Sequence, residues 1–116
     1  MDVDTAISAH ARVHTSLQTA IETQQVLDAE AIRREHHELN RWLCTDGRMR
    51  HGSQPEFISL LCWHDAFQLE SIRVADAIQQ GKFDDARQMT GYGSPFSQAS
   101  SAVNISANRL KVASGD

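Results

Sequence analysis

Apolar residues in this chain recur at intervals of three and four, and nowhere do they alternate long enough to make a strand, which restricts the fold to packed amphipathic helices. From Val3 the series Ala6, Ile7, His10, Val13, His14, Leu17, Ala20 and Ile21 marks one face of a first helix. A second helix begins at Asp28, a good N-cap, and carries Ile32, Leu39, Trp42 and Leu43 to a stop at "TDG", where Gly47 suits a left-handed C-terminal residue. "GSQPEF" starts a third, with Ser53 or Gln54 before Pro55 at its first position and Glu56 complementing the helix dipole. This helix runs to about Gln80, is stopped by Gly81, and turns inward Phe57, Leu61, His64, Gln68, Ile72, Ala75 and Ile78. A short helix through Met89, a break at "TGYGSP" and a last helix from Pro95 carrying Phe96, Ala99, Val103, Ala107 and Leu110 complete the pattern. Burying four such stripes predicts an all-α fold, an antiparallel four-helix bundle with a short second helix and a broken last one, in a single domain over residues 1–116.

At 116 residues the chain can bury a sufficient core without a metal or disulfide as a condition of folding. A formal charge of −4 and the lack of a long basic run argue against nucleic acid as a partner. No apolar run approaches a membrane span, and "MDVDTAIS" lacks the pattern of a secretory signal, so a cytoplasmic protein without membrane insertion is expected. Its two cysteines, Cys44 and Cys62, are then free thiols.

Polar groups on core stripes need partners, and His10 and His64 lie on two different stripes while Cys44 ends the second helix. Imidazole and thiolate are ligands of zinc, and helical bundles build metal sites from inward side chains on facing helices. Taken singly, each residue reads more readily as a hydrogen-bonded core histidine or a small core thiol. His36, His37 and His51 fall in polar stretches and read as a solvated face, and Cys62 points away from His64. No nucleophile elbow is present, an all-helical chain offers no acyl-binding loop for a Cys-His protease, and the inward stripes hold few of the carboxylates that a di-iron site needs. No enzymatic activity is expected.

The runs "AISAH", "HHELNRWLCTDGRM" and "LLCWHDAFQ" together resemble the chemoreceptor zinc-binding (CZB) domain of bacteria, over Asp4 to Leu110. That family has a histidine on its first helix, a Cys-x-Phe/Leu-Gly-x-Trp-like motif and a later His-x-x-x-His pair. The resemblance implies His10, Cys44 and His64 as zinc ligands, with Gly47 at the motif glycine and Gln68 where the fourth ligand, a histidine, is usual. Asp46 and Met49 also depart from the motif. Three outcomes stay open: zinc on three ligands with water or Gln68 in the fourth place, His14 as the missing nitrogen donor, or a polar cluster that has lost the metal. The resemblance further implies a sensory domain of chemoreceptor or cyclic-di-GMP signalling type, a homodimer answering to zinc or to thiol oxidation and acting on chemoreceptor or cyclase signalling domains. The rival expectation is a metal-free helical bundle that serves dimerisation or protein interaction.

Overall fold

The computed structural model describes residues 3–114 and is all-helical; the two ends of the expected 1–116 unit lie outside the described residues. Six helices follow in order: α1 (Val3–Thr23), α2 (Ala29–Cys44), α3 (Asp46–His51), α4 (Pro55–Gln79), α5 (Phe83–Met89) and α6 (Pro95–Ser114). No helix among the described residues is long and apolar enough to cross a membrane.

The chain's punctuation explains most boundaries. Asp28 caps α2 by accepting the Glu30 amide on its side chain (3.0 Å). Pro55 occupies the first turn of α4 behind the extended Gln54, and Gly81, at φ +76°, turns the chain after that helix ends. α1 closes without a glycine: Gln24 takes the left-handed position itself (φ 53°), which lets the Gln25 amide reach the Ala20 carbonyl.

"TDG" departs from expectation. Gly47 does not end a helix in left-handed geometry but lies buried inside α3, a turn the sequence pattern did not foreshadow. Its missing side chain serves close packing instead, since a Cβ there would stand 3.0 Å from the Trp42 carbonyl oxygen and 3.1 Å from the indole ring. α3 folds back on α2 in this way and covers Trp42, and His51 is buried with its ring 6.3 Å from the indole, not on a solvated face.

Packing follows the stripes. α1 buries every apolar position expected of it except Ile7, which is half-buried. On α4 the buried line is Phe57, Leu60, His64, Phe67, Ser71, Val74, Ala75 and Ile78, so Leu61, Gln68 and Ile72 sit at its margin rather than on it. α4 meets α6 over the longest contact, and α6 buries the small residues Ala99, Ser100, Ser106 and Ala107 along with Val103. α2 packs on both α1 and α4, and α1 also touches α6, so the long helices enclose one core. Phe67 lies at its middle, wholly buried, with its ring 5.4 Å from Phe96 and close to two imidazoles.

Candidate functional site

Three histidines from three helices occupy the core around Phe67. His10 on α1, His36 on α2 and His64 on α4 are each 2% exposed or less. The His10 ring lies 4.2 Å and the His36 ring 5.6 Å from Phe67, and the rings of His36 and His64 are 5.5 Å apart. Helical spacing accounts for His36, which stands four residues after Ile32 and three before Leu39, the two core positions of α2.

Each imidazole uses one nitrogen for a hydrogen bond. His10 Nε2 pairs with Ser100 Oγ of α6 (3.1 Å), His36 Nε2 with Ser71 Oγ (2.6 Å) and His64 Nε2 with Asn40 Oδ1 (2.9 Å). Ser71 Oγ in turn donates to the Gln68 carbonyl (3.1 Å), and Asn40 Nδ2 donates to Gln68 Oε1 (3.0 Å). The second nitrogen, Nδ1, is buried without a hydrogen-bond partner in all three rings. Three buried lone pairs or N–H groups left over in one core are costly, at about 1–3 kcal/mol each.

Among the described residues no carboxylate is hydrogen-bonded to these rings, and they are neutral. Burial is the main cause: it pushes His10 and His64 down to about 4 and His36 to about 3. Mutual repulsion adds to it, from His14 and His64 on His10 and from His64 and His10 on His36, while Asp65 works weakly the other way on His64. Neutral imidazole is the form that binds metal.

The expected ligand set is brought together only in part. His10 and His64 are in the core, but Cys44 is exposed at the last turn of α2, eight residues and about 12 Å along the axis from His36. Cys62 is exposed as well. Cys44 therefore does not lie with His10 and His64 in this structure, and the α2 residue that joins them in the core is His36, which polarity alone had placed on a solvated face. Gln68 is half-buried and already engaged through Asn40; His14 is half-buried, with its ring stacked on Phe96 at 5.5 Å.

The donor chemistry fits a borderline-soft divalent cation. Two imidazoles sharing a tetrahedral zinc at Zn–N ≈ 2.0–2.1 Å place their ring centres roughly 5 Å apart, and His36 and His64 stand at 5.5 Å. Among the described residues, no group of three or more His, Cys, Asp or Glu is placed to hold a metal ion. The Nδ1 atoms are the imidazole nitrogens left for ligation. Comparison with known protein families, curated proteins and solved structures gives no match.

Proposed function

We propose that this protein is a zinc-responsive sensory domain, a cytoplasmic, non-enzymatic antiparallel bundle of α1, α2, α4 and α6 whose core imidazoles bind the ion. The observation that carries the reading is the set of three buried, neutral histidines on three helices, each with an unpartnered Nδ1. His10, His36 and His64 would hold the zinc, with water or an amide oxygen completing its coordination, and the bound ion would supply a positive charge tying α1, α2 and α4 together. The resemblance of the sequence to CZB domains supports zinc as the ion and signalling as the role.

The ligand set changes what such a domain senses. An all-nitrogen site has no thiolate to oxidise, so its response is to metal and not to oxidants, and Cys44 stands outside it. The Ser–His pairs offer no hydrolytic alternative: Ser71 is wholly buried and its hydroxyl is donated to a backbone carbonyl, leaving no route for a substrate. Zinc occupancy acts instead on helix packing, biasing α2 relative to α1 and α4, and this is the change that a chemoreceptor or cyclase signalling domain would read.

A second reading, a metal-free interaction module, has its own support in apolar side chains left outside the core. Trp63 on α4 is 44% exposed, and Ile105 and Val112 on α6 are more open still. These give a homodimer surface to bury whichever reading holds.

Elemental analysis of protein purified without chelator separates the two. The sensory reading expects about one zinc per chain in wild type and in Cys44→Ser, and none in His36→Gln. Zinc retained in His36→Gln but lost in Cys44→Ser would refute the site as drawn. No zinc in any of the three, even when it is offered, would leave the interaction module.

A further inference from the structure

Gln68, the residue that stands where a fourth ligand would be sought, is the common end of two hydrogen-bond relays. One runs from its side chain: Gln68 Oε1 accepts Asn40 Nδ2 (3.0 Å), which leaves Asn40 Oδ1 facing His64 Nε2 at 2.9 Å. A carbonyl oxygen only accepts, so His64 must carry its proton on Nε2. The other runs from its backbone: the Gln68 carbonyl accepts the Ser71 hydroxyl proton (3.1 Å), so Ser71 Oγ meets His36 Nε2 (2.6 Å) as an acceptor and His36 too is protonated on Nε2. Neutral imidazole has one proton. Both Nδ1 atoms are thereby bare lone pairs, and both are among the buried atoms without a hydrogen-bond partner.

We propose that Gln68 is a positioning residue, not a ligand: through Asn40 and Ser71 it locks His64 and His36 in the Nε2–H tautomer and keeps both Nδ1 lone pairs free for a divalent cation. The identity of the cation rests on the function proposed above, whereas the tautomers belong to the metal-free protein and are read without it. Outer partners of this kind orient metal-binding histidines and weigh about 10- to 100-fold in affinity. The position that looks like a lost ligand thus tunes two of the three proposed ones.

The test is nitrogen-15 NMR of the imidazole rings at neutral pH in chelator, for wild type, Gln68→Met, Gln68→Glu and Ser71→Ala. Wild type should show Nε2–H at both His36 and His64. In Gln68→Met the acceptor is gone, Asn40 can turn its amide NH2 toward the ring, and His64 should gain the Nδ1–H form while His36, held through a backbone carbonyl, does not. Gln68→Glu keeps an acceptor and should keep the wild-type pattern; Ser71→Ala should release His36 alone. Zinc affinity, measured separately by competition with a chromogenic chelator, should fall about 10- to 100-fold in Gln68→Met and much less in Gln68→Glu. An Nδ1–H signal at His64 in wild type, or an unchanged His64 tautomer in folded Gln68→Met, overturns the proposal. The stated tautomers in a protein that binds no zinc would refute the sensory reading and leave the positioning role standing.

Discussion

Lowering the pH of the metal-free protein should destabilise it from about pH 6.5 downward, before most of its carboxylates titrate. In the unfolded chain the three core histidines take up protons near 6.5, but in the fold His10 and His64 do so only at about 4 and His36 at about 3. Between those values the unfolded state binds more protons, so stability is complete above about pH 7 and is lost as the pH falls toward the folded values. At pH 5 each ring accounts for about 2 kcal/mol of lost stability, together about 6 kcal/mol, from 1.36 kcal/mol per pKa unit. A domain of this size has only about 5–15 kcal/mol in all, so a stability near the lower end of that range would be used up close to pH 5. His14, lowered by partial burial, acts in the same direction. Urea unfolding followed by circular dichroism in chelator at pH 7, 6 and 5 measures the slope directly. His36→Gln should flatten it by about 2 kcal/mol over that interval, the share of one ring. Stability at pH 5 within about 1 kcal/mol of that at pH 7 would mean that the histidines are not held neutral in the core, and the metal reading would lose its footing.

Two substitutions test the packing that holds the rings. Phe67→Ala removes a wholly buried ring that touches His10, His36 and Phe96 and should cost about 3–5 kcal/mol in urea denaturation; a cost below about 1 kcal/mol would show that the core does not close around it. Gly47→Ala sets a methyl group 3.0–3.1 Å from Trp42 and should destabilise by about 1–3 kcal/mol. A neutral result there would mean that α3 does not fold back on the indole as described.

The capping of α2 by Asp28, the start of α4 at Pro55, the turn at Gly81 and the restart at Pro95 were legible because each rests on a local rule about one or two residues. Two of the three core histidines were legible for the same reason that valines are, by falling on a stripe. His36 was not, because its neighbours Arg34, Glu35, His37 and Glu38 make the segment polar on average, and average polarity hides a single inward position between Ile32 and Leu39. Cys44 ends α2 as the sequence pattern indicated, but the fit of its residue type to ligand chemistry says nothing of orientation, and position 44 lies one beyond Leu43 and two beyond Trp42, on the side those two leave open. Asn40, Ser71 and Ser100, which complete the cluster, carry no sequence signal of their own. Their roles come from the pairing of helices far apart in the chain, α1 with α6 and α2 with α4.

Acid lability and the proposed metal binding would be two results of one arrangement. Desolvation by Phe67 and the surrounding apolar stripes makes a protonated ring expensive, and the same desolvation keeps bare nitrogen available to a cation at neutral pH. On the proposed site, zinc and protons would compete for the same rings, and a bound zinc would have to be displaced before the rings could charge. Zinc at 100 times its dissociation constant adds about 2.7 kcal/mol to the folded state, close to the roughly 2 kcal/mol that one ring loses by pH 5. The acid midpoint should therefore move down by several tenths of a pH unit in saturating zinc and return when chelator is added. An unchanged midpoint in a protein that demonstrably holds zinc would place the ion elsewhere, because no ligand of the buried imidazoles can leave their titration untouched.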